Sequence, residues 1–153
     1  MQSFSLGRLH LTTADPEVDP EIDFHLLSDD RDFIQLRDGV RRLFDLARHP
    51  AMAAIIETVH VGASGLKPDD FTDDAQLGQW IMAECGEFWH ACGTCRMGAA
   101  NDPQAVVDLE CRVIGIEGLR IVDASIIPEI PRANTNLTTI MIAEHVAAKL
   151  KQR

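Results

Sequence analysis

The strongest constraint on this chain is a change of pattern at Trp89. Before it, after two short alternating stretches, apolar residues recur at helical spacing. After it, glycines come often (Gly93, Gly98, Gly115, Gly118) and apolar residues fall into short runs. A chain that switches period midway forms neither a uniform bundle nor a uniform sheet, so a mixed α+β fold is expected. The 153 residues are 46% hydrophobic and 25% charged, which excludes wholesale disorder, collagen and low-complexity scaffolding.

The first part reads as two extended pieces followed by helices. Leu9 and Leu11 alternate with Arg8, His10 and Thr12, the pattern of a half-buried strand. Turn chemistry follows at Ala14-Asp15-Pro16 and Asp19-Pro20, then Ile22, Phe24 and Leu26 alternate again. Ser28 or Asp29 can cap a helix whose apolar stripe is Phe33, Leu36, Val40, Leu43 and Ala47. His49-Pro50 ends it, and Met52, Ile55, Ile56 and Val59 suit a short helix after the proline. A third helix spans Thr72 to about Glu87, with Leu77, Trp80, Ile81 and Glu84 on neighbouring turns.

In the second part, Val113–Ile116 and Leu119–Val122 flank Glu117-Gly118, as in a hairpin or two buried strands. Ile127-Pro-Glu-Ile-Pro131 is a rigid connector. Ile140, Ala143, Ala147 and Leu150 then fall at helical spacing, with Lys149, Lys151 and Arg153 where the helix dipole favours cations.

Charge and targeting signals narrow the classes further. With 24 acidic and 14 basic residues the net charge is −10, which repels phosphate backbones and anionic lipid, so neither nucleic acid nor membrane is an expected partner. No apolar run reaches the ~20 residues of a spanning helix, and no signal peptide is visible; a soluble cytoplasmic protein is the expectation. Cys92-Gly-Thr-Cys95, with His90 ahead of it, invites a redox dithiol or half a zinc site. A second ligand pair is missing and the glycines read as a loop, so buried or incidental thiols are favoured and no metal is expected.

Three segments place polar groups at element ends, where sites are built. They are Trp89-His90-Ala-Cys-Gly-Thr-Cys-Arg-Met-Gly98, Gly118-Leu-Arg-Ile-Val-Asp123-Ala-Ser125 and Asn134-Thr-Asn136 through Met141-Ile-Ala-Glu144. Each has a plain structural reading: His90 as a satisfied core histidine, Asp123 as a turn cap, Asn134 as a helix cap. Together and in this order they resemble the C-terminal region of the glucose–methanol–choline (GMC) family of FAD-dependent alcohol oxidoreductases. Ala14-Asp-Pro16 and Leu36-Arg-Asp-Gly39 extend the resemblance over nearly the whole chain.

The resemblance implies roles. His90 matches the catalytic histidine, an imidazole suited to taking a hydroxyl proton as hydride leaves the carbon. Asn134 matches the second catalytic position, which orients the substrate oxygen. The hydride acceptor is FAD. Asp123 and Ala124 match positions along the cofactor's ribityl–phosphate stretch, and Thr135 and Asn136 match main-chain contacts to the ring. Trp89 is placed at the cofactor and substrate wall. The Trp-His-Ala-Cys-Gly-Thr-Cys run is similar to members acting on hydroxymethylfurfural and benzylic alcohols, with choline dehydrogenase-like members also close. A flat apolar alcohol would stack on such a wall. The CxxC becomes an accident of the motif.

One feature of the family is missing: no Gly-x-Gly-x-x-Gly follows a first strand here. The expectation is therefore a C-terminal fragment or one piece of a split enzyme, inactive alone. Residues 1–88 would be part of an antiparallel-sheet substrate domain. Residues 89–153 would supply the closing strand and helix of a Rossmann-like FAD domain. The expected partners are a small alcohol and the N-terminal FAD-binding portion. Apolar patches should be exposed where those segments belong. A non-catalytic remnant of the same fold is the competing reading.

Overall fold

A computed structural model describes residues 2–87 and 89–152. Arg153, expected at the basic end of the last helix, lies outside them. The chain divides into two compact units. One combines Phe4–Leu6 with His25–Gly86; the other combines Met1–Ser3, Gly7–Phe24 and Glu87–Arg153.

The first unit is helical. Helix α1 (Asp30–Arg48) starts at Asp29, whose carboxylate accepts the Arg31 N–H, and ends at His49 ahead of Pro50. One turn, α2 (Pro50–Ala53), follows, and α3 (Asp74–Glu84) is capped by Asp73, which accepts the Gln76 N–H. Helix α1 has the expected limits and α3 is the expected helix trimmed at both ends, whereas α2 stops at Ala53 and leaves Ile55, Ile56 and Val59 of the expected short helix outside it. Phe44, Val61, Leu77 and Ile81 form the buried core, with Phe33, Leu36, Val40, Phe71 and Trp80 packed on it. Phe44 stacks on Phe71 at 5.7 Å between centroids, and Phe71 meets Trp80 edge-on at 5.7 Å. Leu43, expected in the α1 stripe, is exposed, and Phe44 takes its place. At ~100° per residue, Leu43 and Phe44 flank the centre of that stripe at about equal angles, so spacing alone does not choose between them and the packing against Leu77 and Ile81 does. Buried Asp32 ties down the start of the unit, accepting the N–H groups of Phe4 and Ser5 and the Ser5 hydroxyl at 2.6–2.9 Å.

The second unit is built mostly from loops. Strands β1 (Arg8–His10) and β2 (Glu21–Asp23) pair antiparallel, Leu9 opposite Ile22. Both strands are exposed rather than half-buried, because a two-stranded ladder offers no second layer to cover its apolar face. The alternation through Phe24 and Leu26 does not extend β2, since His25 and Leu27 turn left-handed at φ 49° and 56°. The anticipated hairpin around Glu117-Gly118 is reduced to an isolated antiparallel bridge between Arg112 and Arg120, with Val113 N–H donating to Leu119 O. Gly115 and Gly118, both at positive φ, turn the backbone away before a ladder can grow.

The core of this unit is Val107, Cys111 and Ile126, with Met97, Val113, Ile121, Val122, Ile142 and Val146 against it. Helix α4 (Thr135–Lys151) contributes Ile142 and Val146, whereas Ile140 and Leu150 of the anticipated stripe are exposed. Apolar residues occur all round α4, so periodicity alone does not select its packed face. Leu109, Leu137 and Met141 add to the exposed apolar surface. Among the described residues no helix is long and apolar enough to cross a membrane.

Candidate functional site

The loop carrying His90 is held by backbone pairing. Cys95 N–H donates to Ser125 O at 3.0 Å and Met97 N–H to Ile126 O at 2.9 Å. Val107 then bridges Met97, and Gly98 N–H donates to Val107 O at 3.0 Å. The glycines are a packing requirement. A Cβ on Gly98 would stand 2.8 Å from the Ala105 Cβ, and one on Gly93, at φ 88°, would stand 3.3 Å from Ile127 O. The second of the three sequence segments therefore braces the first.

The third segment receives the histidine. His90 is half-buried, and its Nδ1 lies 3.1 Å from the Thr135 hydroxyl, 45 residues away in sequence. Thr135 is the first residue of α4 and is buried. His90 is thus seated at the N-terminus of a 17-residue helix, beside Asn134 at the cap position. Asn134 is exposed and its side chain makes no cap bond to the helix, so its carboxamide is not spent on α4. Asn136 is exposed in the first turn.

Trp89 is 86% exposed. Its backbone is left-handed at φ 51°, an unusual state for a bulky residue, and its N–H donates to Glu87 Oε2 at 2.6 Å. Asp123 does cap a turn: its carboxylate accepts the Ser125 N–H at 2.8 Å and the Ser125 hydroxyl at 2.5 Å, opening the 3₁₀ turn Ala124–Ile126. The geometry thus joins His90 to Thr135, the chain neighbour of Asn134, and pairs the Cys95–Met97 segment with the turn that Asp123 starts. The Thr135 hydroxyl as the partner of His90 is the feature that sequence reasoning missed. Motif order singles out Thr135 for its main chain, and nothing in the spacing says where its side chain points.

Two other features sit apart from this cluster. A cavity of about 400 Å³ lies beside α4, lined by Met97, Cys111, Ile126, Met141, Ile142 and Val146 among others. None of residues 89, 90, 134, 135 or 136 lines it. Burial pushes the Cys92 thiol above its ordinary pKa, the opposite of what a nucleophilic dithiol needs. Among the described residues no group of three or more His, Cys, Asp and Glu is gathered to hold a metal.

The donors at the start of α4 fit the electron-rich end of a flavin ring. A helix N-terminus whose cap side chain leaves its amides free favours negative charge, and a histidine stands beside it. A pyrophosphate cradle of the Gly-x-Gly-x-x-Gly type is not among these residues, so the fit covers the ring end of the cofactor only.

Comparison with known proteins bears on the same region. A family model described as GMC oxidoreductase matches residues 3–143. The 5-(hydroxymethyl)furfural oxidase of Methylovorus sp. (strain MP688) is 43% identical across 94% of this chain and 28% of its own length. Oxygen-dependent choline dehydrogenase 1 of Chromohalobacter salexigens is 39% identical across the whole chain and 26% of its own. A structure of Aspergillus oryzae RIB40 formate oxidase, concerned with modification of its FAD, superposes with a TM-score of 0.83 at 30% identity. It covers 95% of this chain and 24% of that one. The chain spans about a quarter of the length of the curated relatives it matches.

Proposed function

The chain belongs to the GMC oxidoreductase family, and from that premise we propose that it is the C-terminal catalytic portion of a flavin-dependent alcohol oxidoreductase. The reaction is oxidation of a primary alcohol to an aldehyde, with residues 1–88 contributing to the substrate side and 89–153 completing the FAD domain. The carrying observation is the seat of His90 on the first turn of α4, next to Asn134. It supports a division of labour between them. His90, through the ring nitrogen not bonded to Thr135, accepts the hydroxyl proton. The Asn134 carboxamide donates a hydrogen bond to the substrate oxygen and fixes its orientation. Trp89, exposed beside the histidine, supplies a flat wall for an aromatic or furanic alcohol. The start of α4, with Thr135 and Asn136, and the turn at Asp123-Ala124 are the cofactor-facing backbone. FAD, when bound, supplies the acceptor for the hydride.

The full-length enzyme that contains this chain provides the test. His90→Ala should slow flavin reduction by alcohol ~10²–10⁴-fold while the flavin absorbance of the purified protein stays unchanged. Reduction at the wild-type rate would remove His90 as the base. A comparison of hydroxymethylfurfural with choline sets the substrate class: preference for the furan alcohol supports the Trp89 wall, and preference for choline rejects it.

A further inference from the structure

Thr135 has an unexpected environment. It is the buried residue of α4, although it is polar, whereas Leu137, Ile140 and Met141 on the same helix are more than half exposed. Burying a hydroxyl without a partner costs free energy, and the partner here is His90 Nδ1 at 3.1 Å. The helix holds Thr135 firmly from below: the Thr139 hydroxyl donates to Thr135 O at 2.9 Å.

We propose that Thr135 is a positioning residue that keeps His90 in the tautomer with hydrogen on Nδ1, leaving Nε2 as the proton acceptor. This rests on the reading of His90 as a base. A neutral imidazole carries one ring hydrogen, and a hydroxyl can either accept from Nδ1–H or donate to a bare Nδ1. Only the first leaves Nε2 without a hydrogen. The second would turn the outward nitrogen into a donor, unable to take the proton that the alcohol releases. Thr135 thereby takes the part that a carboxylate plays behind other catalytic histidines, fixing ring orientation and tautomer without touching substrate. Being uncharged, it does so without stabilising an imidazolium as a carboxylate would.

The test uses the flavin-loaded enzyme with ¹⁵N-labelled histidine, the His90 signals being those lost in His90→Ala. At pH above the imidazole titration, long-range ¹H–¹⁵N spectra of the unsubstituted enzyme should show His90 with its hydrogen on Nδ1. A hydrogen on Nε2 overturns the proposal, and this reading needs no variant to fold. Thr135→Val should lower kcat about 10- to 100-fold with KM nearly unchanged, shift the basic form toward the other tautomer, and move the acidic limb of the pH–rate profile. Thr135→Ser, which keeps the hydroxyl, should restore most of the rate. Equal rates and profiles in the valine and unsubstituted enzymes would also overturn it. Two failures stay separate: if His90→Ala retains full activity the base reading falls, whereas a slow His90→Ala beside an unaffected Thr135→Val removes only Thr135.

Discussion

The helical unit and the loop-built unit make opposite use of their residues. In the helical unit, two capped helices bury Phe44, Leu77 and Ile81 in one aromatic-rich cluster. All the candidate site residues, Trp89, His90, Asp123, Ala124, Asn134, Thr135 and Asn136, lie in the loop-built unit. There the small core of Val107, Cys111 and Ile126 is surrounded by turns and single bridges. Regular helices satisfy their own backbone and point side chains into packing. Irregular backbone, braced by hydrogen bonds between distant segments, can aim polar groups at a common point. The first unit is therefore legible by periodicity, and the second by motif.

The comparison can be tested by stability. Leu77→Ala should destabilise the helical unit by about 2–5 kcal/mol, the usual loss for a buried leucine. Amide exchange is the measurement: α1 and α3 should lose protection while α4 keeps its own. Equal loss in α4 would mean that the two units unfold as one, and the contrast would dissolve.

Gly98→Ala should act on the other unit at smaller cost. The new methyl would meet the Ala105 Cβ at 2.8 Å and Asp102 Oδ2 at 3.0 Å, and overpacking of this kind costs about 1–3 kcal/mol. Protection of amides at Met97, Val107 and Ile126 should fall with α3 unaffected. In the full enzyme, flavin reduction should slow as the His90 loop shifts. Unchanged exchange at those amides would show that the loop adapts and that the bracing is loose.

The smallest expected effect is a pH dependence confined to α1. Asp29 is held down to about 2 from its ordinary 3.8, chiefly by the Arg31 guanidinium and then by the Arg31 N–H. The unfolded chain binds that proton more readily than the folded one. The stabilisation is complete above about pH 4 and is lost as pH falls through about 2. Fraying of the first α1 turn, followed by amide exchange between pH 4 and 2, should show this step, and Asp29→Asn should flatten it. The pair is solvent-exposed, so added salt should shrink it. A step of the same size in Asp29→Asn would assign it to another carboxylate.

Much of the helical unit is written locally. Asp29, Asp73 and Pro50 mark helix ends, and spacing marks the buried face to within one residue, Leu43 standing where Phe44 belongs. In the loop-built unit the residues with left-handed backbone include Trp89 and Cys111, which carry no glycine to announce them. The packed face of α4 is likewise undecided by a sequence that is apolar all round. It depends on which side Val107 and Ile126 happen to meet.

The sequence alone determined the mixed fold class, the limits of α1 and, through three ordered segments, the GMC family. Those depend on interactions a few residues long or on residue order, and both survive in one dimension. The tertiary structure decided which apolar residues are covered and that the Thr135 hydroxyl meets His90 Nδ1 across 45 residues. Such a contact depends on how distant segments pack, and no local propensity encodes that. The change of pattern at Trp89 separates stretches written mostly in local signals from the motif-bearing stretch, but the units themselves interleave, since Gly7–Phe24 belong with the residues after Trp89.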